Sequence, residues 1–298
     1  MTAHESRTVR LAEEYDRARP RLQAVAYAVL GSRAEAEDVV ADCWLRLVQA
    51  DVRDPVLDVE AWATVTVARA ALDVLRSARR RREVYTGPWL PEPVLGDASI
   101  PVDPADRVTL DEHVRYALLV VLETLTPAER TAWVLHDLFG MGFTEVAAVV
   151  GRTPAAVRQL AARARSHVDT RVSRVPVSRA EHDAAVRAFA DAVAGGDLAR
   201  MVRVLDPDVV LTSDGGGMVS AARRPVVGAE RVGRFLLGLA AKRTAMDEVR
   251  PMTVNGLLGL GTFTAGRLTT AVVLTVDAGR VTRVDMVRAP AKLSRLPS

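Results

Sequence analysis

The most constraining feature of the sequence is the run Gly-Arg-Thr-Pro at 151–154, which separates two helical stripes of apolar residues. Gly151 tolerates the left-handed conformation that ends a helix, Thr153 can cap the next helix, and Pro154 fits its first position. Two helices joined by a short, glycine-containing turn form a helix-turn-helix. The spacing predicts this motif within residues 125–165.

The second helix of the motif has a basic, amide-bearing face that suits the major groove of DNA. Arginine can bind guanine through two hydrogen bonds, and glutamine can bind adenine in the same way. The predicted DNA contacts on this helix are Thr153, Arg158, Gln159, Arg163 and Arg165. Spacing alone also permits a helical hairpin whose basic face is merely solvated.

Charge is informative through its distribution along the chain. The formal net charge of +3 decides little, and 298 residues suggest two or three domains. Six Arg stand against one acid between positions 152 and 174, and Arg79–Arg82 is an unbroken run of four. Such local clusters are typical of binding to a polyanion.

Several classes of protein are disfavoured by what the sequence lacks. The single cysteine, Cys43, excludes an intramolecular disulfide and a cysteine-rich metal site. The five His residues are scattered, and neither a signal peptide nor a membrane-spanning apolar run is present. We therefore expect a cytoplasmic protein with no metal, no cofactor and no membrane partner.

The first block of the chain reads as three helices. Ser32 with Glu35 forms a capping-box pattern before the second helix, which is acidic at first and then presents Trp44. The third helix begins near Asp58 and grows basic toward its end, beyond what the helix dipole needs. This excess favours contact with phosphates.

A proline-rich stretch, 83–106, follows, and its five prolines and two glycines predict no regular structure. Its apolar Trp89 and Leu90 predict docking on a neighbouring domain. Val108–Leu125 is then expected to be a helix that leads into the helix-turn-helix.

The last block, 178–298, changes from helices to long antiparallel strands and predicts an α+β domain whose curved sheet wraps a helix. Cone-shaped folds of this kind commonly enclose a small-molecule pocket. Its predicted strands include Met218–Ala222, and Glu230–Ala241 is a predicted helix. Asp214-Gly215-Gly216-Gly217 reads either as a hairpin turn or as a turn that also allows a close backbone contact.

Enzymatic chemistry finds little support in this block. Acid–base catalysis needs an inward carboxylate or a carboxylate–histidine pair in an apolar pocket. The candidate residues are Asp206, Asp208, Asp214, Asp285 and His182. Their spacing in the sequence places no two of them in a convincing catalytic pair. We therefore expect a protein that is not an enzyme.

Taken in order, these motifs resemble the bacterial extracytoplasmic-function sigma factors, in the subgroup with a SnoaL-like C-terminal domain. The general signals are LGSRAEAEDVVADCWLRL, DVLRSARRRRE and the helix-turn-helix. The subgroup signals are YTGPWLPEPV (85–94), DGGG (214–217) and VRAPAKL (287–293). The resemblance implies a multidomain fold, with two all-α sigma domains, the second with the helix-turn-helix, followed by an α+β cone-like domain. The implied boundaries are 1–82, a linker at 83–106, 107–174 and 178–298.

The resemblance also implies partners and site residues. Core RNA polymerase would bind the second helix, through Asp38, Asp42, Trp44 and Leu45. The −10 promoter segment would contact the third helix, through Trp62, Arg69, Arg76, Arg79, Arg80, Arg81 and Arg82. The −35 element would contact the helix-turn-helix. Regulatory contacts between domains would involve Trp89, Leu90, Pro91, Glu92, Pro93, Asp214, Gly215, Gly216 and Gly217. The C-terminal domain would modulate activity in cis, with room for a small ligand of unidentified chemistry.

The chain departs from the family pattern at two places. Ala70 and Ala71 stand where polar or bulkier residues are usual, and Ala289 and Ala291 replace Asn and Asp in the closing motif. Two rival functions remain open, a stand-alone ligand-sensing helix-turn-helix regulator and an isomerase or hydrolase with a DNA-binding appendage. The first would bind DNA tightly by itself, and the second would need an inward carboxylate in its pocket.

Overall fold

The computed structural model describes residues 3–82, 87–97, 115–171 and 177–294 of the chain. The side chains of residues 3–6, 80–82 and 97 lie outside the described part. The described residues form two units, one made of 3–82 with 115–171 and the other of 87–97 with 177–294. Within these residues no helix is long and apolar enough to span a bilayer.

The first helical part, residues 3–82, contains three long helices. They are α1 (Ala3–Leu30), α2 (Arg33–Arg53) and α3 (Val59–Arg82). Gly31 ends α1 with a φ of 68°, and the hydroxyl of Ser32 then accepts from the backbone N–H of Glu35 to begin α2.

The second helical part, residues 115–171, contains four short helices and a π-helical segment. They are α4 (Tyr116–Leu122), α5 (Pro127–Trp133), the π-helical segment Val134–Leu138, α6 (Phe143–Val150) and α7 (Pro154–Asp169). The helix predicted to reach Leu125 ends at Leu122, because Thr126 and Glu129 form a capping box that starts the next helix. Residues 108–114 of that predicted helix lie outside the described residues.

The two helical parts share one hydrophobic core. Val25 of α1 and Ala68 of α3 pack in the same cluster as Leu135, Val146 and Val157 of the second helical part. The sequence motifs predict two domains here, and in the structure both helical parts belong to one compact unit.

The second unit is a seven-stranded sheet whose inner face packs against helices. Its helices are α8 (Arg179–Ala194), α9 (Leu198–Val204), α10 (Ala229–Ala240) and α11 (Pro290–Leu293). Its strands are β1 (Leu95–Asp97), β2 (Leu205–Asp214), β3 (Val226–Val227), β4 (Asp247–Val254), β5 (Leu257–Thr264), β6 (Arg267–Asp277) and β7 (Arg280–Val287). The strand order is β1-β4-β5-β6-β7-β2-β3. The expected α+β fold is confirmed.

Three details of this unit differ from the sequence prediction. Met218–Ala222 is not a strand, because the N–H groups of Met218 and Val219 both turn back onto the carbonyl of Gly215. The antiparallel partner of β2 is instead Val226–Val227. The strands are not all antiparallel, since β2 and β7 pair in parallel.

The proline-rich stretch is not wholly irregular. Leu95–Asp97 forms β1, which pairs with β4 through Leu95 and Val254. The backbone of Val94 also exchanges hydrogen bonds with Asn255, at 2.8 and 3.0 Å. Three of the five prolines precede this strand in the sequence and two follow it, so none of them removes a donor from the ladder.

Candidate nucleic-acid interface and motif junction

The helix-turn-helix forms as the residues between its two helices predict. Gly151 ends α6 in the left-handed conformation, with φ 71° and ψ 41°. The Thr153 hydroxyl accepts a hydrogen bond from the backbone N–H of Ala156 at 3.2 Å, and Pro154 opens α7. Val157 and Ala161 are buried, which fixes the opposite face of α7 toward solvent.

The exposed face of α7 carries the predicted DNA contacts, but their side chains differ in what they touch. Arg158 and Gln159 are exposed, and the Arg158 guanidinium lies 5.3 Å from the centroid of the Phe143 ring. Arg163 donates to Glu129 at 3.0 Å, and Arg165 forms an ion pair with Asp137. Arg163 and Arg165 therefore form ion pairs with acids of the same helical part.

The predicted −10 residues lie along α3, and two of them contact the second helical part. Arg69 donates twice to the carbonyl of Ala148, at 3.1 and 3.3 Å, and Arg79 donates to the carbonyl of Leu125 at 2.7 Å. Arg76 stays on its own helix, 3.4 Å from Asp73. Trp62 borders a shallow depression of about 300 Å³ formed with the loop 54–58. The side chains of Arg80, Arg81 and Arg82 lie outside the described residues.

Two further arginines join the helical parts in the same way, and neither was singled out from the sequence. Arg21 donates to the carbonyl of Phe139 at 3.1 Å. Arg130 is 1% exposed and donates to the carbonyl of Ala28 at 3.1 Å and to Glu123 at 2.6 Å. Ala28 lies in the last turn of α1, where carbonyls lack helical partners and the helix dipole favours a cation.

The predicted polymerase-binding residues lie on α2. Asp38 and Asp42 are exposed, and Leu45 is 60% exposed, which is unusual for a large apolar side chain. Trp44 is half-buried, and its ring packs against Tyr15 with centroids 5.4 Å apart. This arrangement leaves an acidic, partly apolar surface beside a tryptophan fixed by packing.

The three subgroup motifs meet in the second unit, at a site that we call the motif junction: Trp89–Pro93, Asp214–Gly217 and Lys292. The Asp214 carboxylate accepts from the backbone N–H of Leu90 at 2.9 Å and from Lys292 Nζ at 2.6 Å. Lys292 Nζ also donates to the carbonyl of Leu90 and lies 3.3 Å from the centroid of the Trp89 ring. Asp214 is fully buried and Lys292 is 8% exposed. A buried ion pair therefore joins segments that are far apart in sequence.

The glycines of the junction combine a turn with close contacts. Gly216 has a φ of 63°, its N–H donates to Asp214 at 2.8 Å, and a Cβ on it would lie 2.8 Å from the Ala289 side chain. A Cβ on Gly215 would lie 2.1 Å from the carbonyl oxygen of Val219, too close to be accommodated without movement. The turn is therefore followed by a close return of the chain rather than by a hairpin strand.

The closing motif keeps its lysine contact despite its two alanines. Ala289 packs against Gly216, and Lys292 supplies the polar contacts with Asp214 and Leu90. Sequence reasoning quoted this motif but assigned no role to Lys292. The available signal was the single lysine of VRAPAKL, which the family pattern shares.

The second unit contains a cavity of about 820 Å³ between α8, α10 and the inner face of the sheet. None of the five catalytic candidates lines it. Asp214 and Asp285 point to the other face, where Arg283 donates to Asp285 at 2.7 Å, and His182 is buried against the carbonyl of Leu274 at 3.2 Å. Burial raises the pKa of Asp285, and the charge and hydrogen bond of Arg283 oppose that rise.

Two acids do border the cavity, at its mouth. Asp183 lies 3.9 Å from Arg187 and 3.6 Å from His182, and Asp191 lies 3.6 Å from Arg200. An unpaired carboxylate inside the apolar part, which acid–base catalysis would need, is not among the described lining residues. Nor do three potential metal ligands come together anywhere in the described part of the chain.

Comparison with known proteins gives matches to both helical parts and to the whole chain. Residues 15–81 match the family sigma-70 region 2, and residues 115–168 match sigma-70 region 4. The ECF RNA polymerase sigma factor SigJ of Mycobacterium tuberculosis is 43% identical over 257 residues, which cover 85% of this chain and 80% of SigJ. The probable sigma factor SigI of the same species is 36% identical over 278 residues, 91% of each chain. The crystal structure of SigJ superposes with a TM-score of 0.76, at 36% identity, over 96% of this chain and 99% of that one.

Proposed function

Because the chain belongs to the extracytoplasmic-function sigma factors of RNA polymerase, we propose roles for its individual residues in promoter recognition and its control. The chain directs RNA polymerase to promoters by binding the core enzyme and promoter DNA. A stand-alone regulator is not favoured, since its full-length relatives are named sigma factors. Its place of action is the cytoplasm, where the polymerase works.

Arg158 and Gln159 read bases of the −35 element. Both are exposed on the second helix of the helix-turn-helix, and neither is held in an ion pair among the described residues. Phe143 packs against the Arg158 guanidinium and restricts its motion, so Arg158 loses less conformational entropy when it contacts a base. Arg163 and Arg165 instead orient α7 through Glu129 and Asp137 and lie near the DNA phosphates. Thr153 fixes the start of the helix.

The third helix contacts the −10 segment. Its basic end, which includes Arg76 and the run Arg79–Arg82, follows the phosphates of the separated strand. Trp62, beside a depression that Asp54 and Asp58 also line, offers an aromatic surface on which an unstacked base can rest. On α2, Asp38, Asp42 and Leu45 bind core polymerase, while Trp44 holds that surface in place.

The described arrangement of the helical parts is a resting state. Arg69 and Arg79 donate to the backbone of the second helical part, so both guanidinium groups become fully available to DNA phosphates only when those hydrogen bonds are broken. Promoter binding therefore requires the two helical parts to separate. The shared core around Val25 and Ala68 opposes that separation, because opening would expose it to water.

The C-terminal domain controls this separation in cis through the motif junction. The stretch 83–106 lies in the covalent connection between the two helical parts, and the junction holds Leu90 of that stretch to Asp214 and Lys292. An anchored connection has less free length than a flexible one, so the helical parts have a smaller range of separations. A small ligand in the cavity of this domain would be one input to that control.

The observation that carries the proposal is the exposed Arg158–Gln159 edge of a capped helix-turn-helix in a chain whose relatives are sigma factors. It is tested with core RNA polymerase loaded with the Arg158→Ala variant, on promoters that vary at each −35 position. We expect discrimination at one position to fall by about 1–3 kcal/mol, with other positions unchanged. Arg203→Ala, an exposed arginine of α9, is the matched control.

A uniform loss of initiation across all promoter variants would contradict base reading by Arg158 and assign it to phosphate contact. Tight, specific binding of a duplex by the protein alone, with no initiation by the polymerase complex, would contradict the sigma role itself.

A further inference from the structure

The cavity in the second unit has the size and lining of a small-molecule site. Its volume of about 820 Å³ falls in the range of roughly 300–1,000 Å³ usual for ligand pockets. All of its lining residues belong to the second unit. The floor is apolar and deeply buried, and it is formed by Val186, Phe189, Leu236, Leu260, Val272 and Met286.

The mouth of the cavity is charged, and its charges do not cancel. Asp183 faces Arg187 at 3.9 Å, and Asp191 faces Arg200 at 3.6 Å, so each acid of the mouth has a cationic partner. Two further arginines, Arg179 and Arg243, line the mouth as well.

Neither of these two arginines is neutralised by an acid at ion-pair distance in the described part of the chain. Arg179 donates to the carbonyl of Gly256 at 2.7 Å, which uses one of five donors and leaves its charge in place. Arg243 follows the end of α10. Its positive charge makes only a small contribution to lowering the pKa of Asp247, whose carboxylate accepts mainly from Thr244 and Thr264.

We propose that this cavity binds a small amphipathic anion, with its apolar body on the buried floor and its acidic group at Arg243 and Arg179. An apolar floor stabilises the body of such a ligand by removing its surface from water. An arginine at a half-open mouth supplies a charge-assisted hydrogen bond to a carboxylate or sulfonate. Few polar atoms line the floor, so a strongly polar ligand would lose hydrogen bonds on entering. The regulatory meaning of this binding rests on the proposed control in cis, but the binding itself does not.

The test uses the full chain and two fluorescent probes that differ in a single group. The anionic probe is 1-anilinonaphthalene-8-sulfonate, and N-phenyl-1-naphthylamine is the same molecule without the sulfonate. We expect one molecule of the anionic probe per chain, and its affinity should fall about tenfold in Arg243→Gln. Binding of the uncharged probe should change less than twofold in that variant. The control is Arg234→Gln, an exposed arginine of α10 outside the cavity, paired with Glu230 at 2.6 Å.

A second variant, Val272→Phe, fills the floor and should abolish binding of both probes. If that variant fails to fold, the comparison of Arg243→Gln with Arg234→Gln still decides the matter. Equal affinity of the anionic probe for those two variants would overturn the proposal, as would the absence of stoichiometric binding to the native chain. These measurements need no polymerase, so a failure here is distinct from a failure of initiation.

Discussion

Replacing Lys292 by methionine tests whether the buried ion pair holds the motif junction together. Methionine keeps most of the apolar length of the side chain and removes its charge and donors. Asp214, which is fully buried, would keep the backbone N–H donors of Leu90 and Gly216 but lose its ion pair with Lys292. Removing one partner of a buried pair typically costs about 3–5 kcal/mol, because the remaining charge is left without compensation.

The remaining donors place the expected cost at the lower end of that range. Two N–H groups, at 2.9 and 2.8 Å, still stabilise the carboxylate of Asp214. The lost contact between Lys292 and the Trp89 ring, at 3.3 Å from its centroid, adds a smaller amount. We expect the free energies of opening the junction and of unfolding this unit both to fall by about 3 kcal/mol, and the fall in the unfolding free energy corresponds to a decrease of about 10 °C in Tm.

Hydrogen exchange at the Leu90 amide measures this opening directly, because that N–H donates to Asp214. The exposed Lys242 on the same unit provides the control variant Lys242→Met. The loss should be smaller when Asp214→Asn is already present, since the buried side chain at position 214 then carries no charge. Equal protection of Leu90 in the two lysine variants would refute the reasoning.

The same Lys292→Met variant tests control in cis. If the junction limits the separation of the helical parts, promoter-dependent transcription by the variant should differ from that of the native chain at temperatures where both are folded. An unchanged level, with the junction shown to be open by exchange, would separate the structural contact from regulation.

Two further predictions concern the resting state and pH. Val25→Ala should weaken the core shared by the helical parts by about 2 kcal/mol and raise the affinity of the chain for core polymerase. Val67→Ala, equally buried but outside that cluster, should leave that affinity unchanged. A titration of labelled polymerase measures the affinity of each variant. The pKa of Asp247 lies below its ordinary value because the backbone N–H of Thr244 and then the hydroxyl of Thr264 donate to it. Its contribution to stability is therefore present above the ordinary carboxyl pKa of about 3.9 and lost as the pH falls through the lower folded value. An NMR titration of Thr264→Val should show that pKa moving upward, and an unmoved value would contradict the role of the hydroxyl.

Substituting alanine for Gly215 and Gly216 would test the junction less cleanly than Lys292→Met. At Gly215 the new Cβ would meet the backbone carbonyl of Val219 at 2.1 Å, and at Gly216 the backbone is left-handed. Both changes strain the fold as well as the junction. Lys292→Met is the cleaner perturbation, because it leaves the backbone unchanged.

The sequence by itself determined the local architecture of the DNA-facing part. The left-handed Gly151, the capping Thr153 and the apolar spacing of α7 act over a few residues, so their effect can be read without knowing the fold. Because Val157 and Ala161 are buried, Arg158 and Gln159 are necessarily exposed. The general order of helices, followed by a mainly antiparallel sheet, was predictable for the same reason.

Only the tertiary structure decided which groups meet. Leu90, Asp214 and Lys292 are separated by 78 to 202 positions, and no periodicity relates them. Local pattern also misread Met218–Ala222 as a strand, because the chain there turns back on Gly215 instead of pairing. Long Arg and Lys side chains select partners by proximity in space, and their many rotamers leave that choice open until the backbone is fixed. Arg69 and Arg79, predicted to contact DNA, therefore donate in the described structure to the carbonyl oxygens of Ala148 and Leu125.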